Sequence, residues 1–200
     1  MTTKKNNNKR YEIKFLISGK EKNNFIVKNN LKCLFPDRIV ESIYFDTNDF
    51  KFFNLSEEGI TPRKKIRIRG YNNNKLDNLE VKITNNYFRE KITFNDFNLD
   101  DFKLHSELKK IGINEIVEKK IRIKYLRSYF LLKGVGRVTI DRNIEFFLPS
   151  LNFHHSKKTN EIVLEVKIQN DKFDKNDIEK IINFREIRYS KYCNGINSLY

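Results

Sequence analysis

Between Lys65 and Arg69 the chain reads Lys-Ile-Arg-Ile-Arg. On an extended strand this puts the cations on one face and the isoleucines on the other, because successive side chains point to opposite sides. The split recurs at Glu80-Val81-Lys82, Arg122-Ile123-Lys124, Arg137-Val138-Thr139-Ile140-Asp141 and Glu165-Val166-Lys167. One such strand is ordinarily apolar toward a core and solvated on its charged face. Many of them, mixing Glu with Lys and Arg, allow another arrangement: a curled sheet with helices over its apolar face and charges turned inward. Burying unpaired charge costs several kcal/mol per ion, about the size of a domain's net stability. Such an interior must be wide and wet or filled by an anion, and a linear anion with repeated charges suits it.

The period-two pattern predicts strands at 10–17, 38–45, 64–71, 79–84, 88–94, 119–130, 137–143 and 161–168, with a weaker candidate at 186–189. Helical segments are short and lie between strands. Ser18 with Glu21, and Asp174 with Asp177, carry the cap-x-x-acid spacing that satisfies free N–H groups at a helix start. Leu104, Leu108 and Ile111 form an apolar stripe between Asp100 and Gly112. The expected class is α+β. Residues 1–9 read as a disordered basic tail and 10–200 as a single domain, with no repeat, linker or composition shift to divide the chain.

A formal charge of +14 selects an anionic partner without naming it. Cys33 and Cys193 are far apart and belong to no metal-spaced cluster, as expected for a reducing compartment. No apolar stretch reaches the length of a membrane span, so the expected location is the cytoplasm, without membrane insertion. His105 falls in a helical stretch and His154 and His155 in a polar loop, which argues against zinc. P-loop and serine-nucleophile motifs are absent, as are the aromatic stacking motif, helix-turn-helix and zinc pattern that would indicate nucleic acid.

The ordered set of motifs resembles the VTC polyphosphate polymerase domain of the triphosphate tunnel metalloenzymes. It comprises Tyr11-Glu12-Ile13-Lys14-Phe15, Ser42-Ile43-Tyr44-Phe45-Asp46-Thr47, Arg63 to Arg69, Leu79-Glu80-Val81-Lys82, Tyr125-Leu126-Arg127, Arg137 to Asp141, Leu164-Glu165-Val166-Lys167 and Tyr189-Ser190-Lys191-Tyr192. The resemblance implies a closed barrel of eight antiparallel strands with helices packed outside. It implies Arg67, Arg69, Lys82, Arg127 and Lys191 as the catalytic clamp on reacting phosphates. Lys14, Lys91, Tyr125, Arg137, Lys167 and Ser190 follow as further phosphate-binding positions. Glu165 matches the carboxylate associated with a divalent metal, Mn²⁺ or Mg²⁺, although a structural ion pair with Lys167, Arg127 or Arg137 is an equally open role. Tyr44, Phe45 and Asp46 read as braces of the strand end and of the helix that follows, and Asp141 as the group that orients an arginine.

One departure stands out. The related CYTH branch opens with Glu-x-Glu-x-Lys, whereas here Arg10 replaces the first acid, which favours a polymerase over a two-metal hydrolase. The expected activity is transfer of the ATP γ-phosphoryl group to a polyphosphate chain. The alternatives are a metal-dependent triphosphatase or polyphosphatase, and a non-catalytic polyphosphate-binding module. ATP and polyphosphate or triphosphate are the expected partners, and there is room for a membrane-protein partner that accepts the product.

Overall fold

The structure, a computed structural model, describes residues 12–86, 89–149, 156–168 and 181–200. The elements run β1 (Glu12–Ile17), α1 (Gly19–Lys28), β2 (Lys32–Asp46), α2 (Lys51–Glu58), β3 (Arg63–Tyr71), β4 (Asn78–Thr84), β5 (Arg89–Phe94), α3 (Asp101–Lys110), β6 (Glu118–Leu132), β7 (Gly136–Phe147), β8 (Ser156–Thr159), β9 (Ile162–Ile168) and α4 (Lys191–Leu199). The predicted tail, the Asp174 cap, His154 and His155 lie outside the described residues. The weak candidate at 186–189 contributes a single bridge, Phe15 to Glu186.

All pairings are antiparallel, and the strand order is β1-β9-β7-β6-β2-β3-β4-β5, with β8 added beside β7. The expectation of a closed barrel is corrected: β1 and β5 end the order, and among the described residues no ladder joins them. Both are six-residue strands, each laddered among those residues on one side alone, β1 to β9 and β5 to β4. The sheet nevertheless curls. Lys82 on β4 feels Glu12 of β1 and Glu165 and Lys167 of β9, from the opposite end of the order.

Register decides which face is which, since residues paired across a ladder share a side. Ile66 pairs with Val81 and Ile68 with Leu79, and all four are fully buried. They meet Phe52 of α2 and Leu104 and Leu108 of α3 on the outer side. Ile13, Phe15 and Ile17 join Leu164, Val166, Val138 and Ile140 beneath Phe25 of α1. Each such side chain contributes roughly 1.5–3 kcal/mol when fully buried. On β1, β3, β4, β7 and β9 the apolar alternation therefore faces outward into helices and the charged one into the curl; the start of β6 is reversed, with Ile121 and Ile123 inward and Arg122 outward beside Glu41.

Local sequence fixes the helices. In α1 the Ser18 Oγ accepts from the Glu21 N–H at 3.2 Å and the Glu21 carboxylate accepts from the Ser18 N–H at 2.7 Å. Asp100 caps α3 through the Lys103 N–H. Asp46, fully buried at the end of β2, accepts the N–H groups of Thr47, Phe52 and Phe53 at 2.7, 2.9 and 2.8 Å. It also takes the Tyr192 hydroxyl hydrogen, tying α2 to α4. The expected bracing role of Asp46 is met, and Phe45 packs in the outer cluster. His105 is satisfied within the fold, Nδ1 against the Asp101 carbonyl and Nε2 accepting from the Val117 N–H.

The helix α4 lies on the inner side. Tyr192, Cys193 and Ile196 pack with Ile121, Ile123, Tyr44 and Phe146, filling one end of the curl with apolar groups. Gly195 permits the approach: a Cβ there would sit 2.4 Å from Ile121 Cδ1 and 2.8 Å from Phe146 Cδ1.

Candidate functional site

Beyond α4, strands β1, β3, β4, β5, β6, β7 and β9 turn charge inward. Lys65 pairs with Lys82 and Arg67 with Glu80 across β3–β4, and Lys82 pairs with Lys91 across β4–β5. Arg127 pairs with Asp141, Arg137 with Lys167, and Lys14 with Glu165. This places the cations on one concave surface, where carboxylates hold them in position.

Glu80 is the first anchor. Its carboxylate accepts from Arg67 Nε at 2.6 Å and from Lys91, with Arg69 at 3.8 Å. Burial pushes Glu80 upward, but Arg67, Arg69 and Lys91 outweigh it and hold the carboxyl far below the usual range. Arg67 also donates to the Tyr44 hydroxyl at 2.8 Å, and Arg69 donates to Ser42 Oγ at 3.1 Å and to the Tyr125 hydroxyl at 3.2 Å. Tyr44 thus does more than brace the strand end. Burial raises its hydroxyl, yet Arg67, Arg69 and Lys65 bring it down to about 8.

Asp141, fully buried, is the second anchor and orients an arginine as expected. It takes Arg127 in a two-toothed pair at 2.6 and 2.7 Å and Lys191 at 2.5 Å. Fork geometry of this kind fixes the guanidinium plane as well as its position. Glu165 is the third anchor. It pairs with Lys167 at 3.1 Å, and Lys167 lies 3.9 Å from Glu12. Burial would raise Glu165, but Lys167, Lys14 and Arg127 hold it well below the ordinary carboxylate range, so it is charged. Lys14 donates to the Tyr189 carbonyl at 2.9 Å, and Ser190, the cap of α4, takes a hydrogen bond from Lys65 at 2.8 Å.

Two polar atoms on this surface, Arg137 Nε and Thr139 Oγ1, are buried without a hydrogen-bond partner among the described residues. A buried donor left unpaired is costly, and both face the curl, where a phosphate oxygen would satisfy them. Phosphate is also the anion that matches guanidinium forks in shape.

The sequence matches the VTC domain family over residues 9–200. The chain belongs to the VTC domain family. Solved structures that share its fold include a Pyrococcus horikoshii protein, 12% identical, covering 94% of this chain and 96% of its own, TM-score 0.55. A candidate adenylate cyclase from Bacillus halodurans is 12% identical over 90% and 92% of the two chains, TM-score 0.56. A Hippeastrum protein named as a candidate adenylyl cyclase, and described as having a dominant triphosphatase activity, is 15% identical over 94% of each chain, TM-score 0.50. At these identities the likeness establishes the fold alone. No curated protein matches in sequence.

In this VTC domain Arg67, Arg69, Lys82, Arg127, Lys191, Lys14, Tyr125, Arg137, Lys167 and Glu165 all lie on the inward face, and Ser190 meets Lys65 at its rim. Lys91 joins them through Glu80, with its side chain 45% exposed. Sequence reasoning missed Lys65 as a site residue, although the alternation had placed it on the face of Arg67 and Arg69. Burial is the largest cause of the lowered pKa of Lys65, with Cys193 and Tyr44 acting against it. Glu80 also went unassigned; its position opposite Arg67 was the signal available.

For a divalent metal, the VTC domain offers the carboxylates of Glu165 and Glu12, both of which lie beside Lys167. Among the described residues no cluster of at least three His, Cys, Asp or Glu side chains forms. Mg²⁺ and Mn²⁺ commonly rest on one or two carboxylates plus substrate phosphates and water, so the donor set fits either ion as a metal shared with substrate. No helix among the described residues is long and apolar enough to cross a membrane.

Proposed function

We propose that this VTC domain is a polyphosphate polymerase that moves the γ-phosphoryl group of ATP to the end of a polyphosphate chain. The observation that carries the reading is the convergence of Arg67, Arg69, Lys82, Arg127 and Lys191 on one concave surface, with Glu80 and Asp141 orienting them. Phosphoryl transfer asks little covalent chemistry of the protein; positioning and charge neutralisation carry it.

Arg67 and Arg69 hold the donor phosphates, and Arg127 and Lys191 face them as the clamp on the transferring group. Lys14, Lys167, Arg137 and Lys91 extend the cationic track along which the acceptor chain lies, with Tyr125 and Ser190 adding hydroxyl hydrogen bonds. Since the carboxylates fix the arginines beforehand, little reorganisation accompanies charge development on the equatorial oxygens. Glu165, with Glu12, would hold Mn²⁺ or Mg²⁺, which supplies further neutralisation of the bridging phosphates when bound.

Purified protein with ATP and Mn²⁺ is expected to give a polymer that an exopolyphosphatase digests, and Arg67→Ala is expected to abolish it. The triphosphatase activity described for the Hippeastrum relative favours one second reading, in which the same cations present a phosphate to water. Free phosphate as the only product would select it. The VTC assignment also leaves room for a membrane-protein partner that takes up the polymer.

A further inference from the structure

The strand β2 is longer than the alternation predicted, and its extra residues build a feature outside the phosphate-lined surface. Residues 32–38 pair with the far end of β6, through register shifts between Cys33 and Phe35 and between Phe35 and Arg38. The second of these shifts contains Pro36, which cannot donate to a ladder. Together the shifts set Phe35 opposite Tyr129 and Arg38 opposite Arg127. Tyr129 alternates with Arg127 and Tyr125 along β6, so its ring lies on the inward face at the end away from α4.

The Phe35 and Tyr129 rings meet edge to face, 5.8 Å between centroids at 86°. The Arg38 guanidinium carbon lies 5.0 Å from the Phe35 centroid and 5.7 Å from that of Tyr129. Phe35 is 44% exposed while Tyr129 is 9% exposed, so one ring is anchored and the other offers its surface to solvent. Arg38 has no carboxylate in salt-bridge distance among the described residues, unlike Arg67 and Arg127. Burial raises the Tyr129 hydroxyl, and Arg127, Tyr71, Tyr125 and Arg38 all act on it. An exposed aromatic face and a guanidinium without an acid, set at the mouth of a cationic cleft, suit a ligand with a planar head and an anionic tail.

We propose that Phe35, Arg38 and Tyr129 form a stacking site for the nucleobase of a nucleoside triphosphate whose phosphates extend inward toward Arg127. The site rests on the reading of the channel as phosphate-binding. Tyr129 and Arg127 are two residues apart on one strand, roughly 7 Å, which leaves a ribose between a base at the mouth and the first phosphate inside. Aromatic rings and a guanidinium plane accept any base through its π face, so the site selects nucleotides over bare triphosphate without selecting adenine over guanine.

Dissociation constants of ATP, GTP and inorganic triphosphate, measured by calorimetry on the full chain and on Phe35→Ala and Arg38→Ala, test this. The expected result is a loss of about tenfold for both nucleotides, the scale of one stacked base, with triphosphate within about twofold of wild type. The chain has no tryptophan, so Phe35→Trp adds a single reporter whose emission ATP should change and triphosphate should leave alone. Equal weakening of all three ligands, or no change in nucleotide affinity, overturns the stacking site while the channel stands. Failure of the wild-type chain to bind triphosphate overturns both.

Discussion

Lys82 makes the interior sensitive to pH. Burial lowers its pKa and the nearby Arg67 lowers it further, together bringing it to about 8, whereas an unfolded lysine titrates near ~10.4. Between those values the unfolded chain holds the extra proton, so this residue's contribution to stability rises with pH across that window. A bound polyanion favours the charged form, so triphosphate affinity should be full below pH 8 and fall above it, by at most about tenfold per unit for one linked proton. Calorimetry in buffers of different ionisation enthalpy should show proton uptake at pH 8.5, and Lys82→Arg should flatten the profile because arginine stays charged. Any slope left in that variant is expected to vanish with Tyr44→Phe, since the Tyr44 hydroxyl also titrates at about 8 and its anion would sit beside Arg67. A second prediction concerns Asp141. Asp141→Ala strands Arg127 and Lys191 together in a buried place, and breaking such a group costs about 3–5 kcal/mol. Triphosphate should recover much of that loss in melting experiments, because it replaces the missing negative charge; a loss untouched by triphosphate would place these cations away from the ligand. At this scale the alternation revealed which side chains share a face, but not their long-range partners. The contact of Lys65 with Ser190 spans 125 residues, and nothing near Lys65 in the chain announces it.

Among the elements, α2 and α4 depend on each other through Asp46. Asp46→Ala removes the acceptor for three N–H groups and the Tyr192 hydroxyl. The expected cost is about 3–5 kcal/mol, since hydrogen bonds to a charged acceptor are worth roughly 1.5–3 kcal/mol each and partial solvation recovers some. Chemical denaturation measures it, and Asp46→Asn should retain part. Gly195→Ala tests the seat of α4: alanine is the better helix former by about 1 kcal/mol, but its Cβ collides with Ile121 and Phe146, and overpacking costs about 1–3 kcal/mol. Net destabilisation is expected. The elements that the sequence revealed are those with strict alternation or a strong cap, such as β3 and α1. The strand β8 escaped because Ser-Lys-Lys-Thr has no apolar residue to alternate. The first half of β2 escaped because Pro36 and two register shifts interrupt its period, and the helical signal of α4 is muted by Asn194 and Gly195.

The molecule as a whole carries +14, much of it confined to a concave surface where like charges repel. A ligand at a hundred times its dissociation constant adds about 2.7 kcal/mol to stability, which for a chain of this size raises the melting temperature by roughly 5–10 °C. Inorganic triphosphate is expected to produce such a rise, and sodium chloride at matched ionic strength a much smaller one, because screening lacks the fork geometry that orients phosphate. Differential scanning calorimetry separates the two.

The seating of Tyr192 and Ile196 against Ile121 and Ile123 has a consequence for traffic. Under the proposed reaction, α4 bars a lengthening product from threading onward past that end and favours its return beside Phe35, the doorway that incoming nucleotide also uses. Synthesis should therefore slow as chains grow, with fresh donor and departing product contending for one passage.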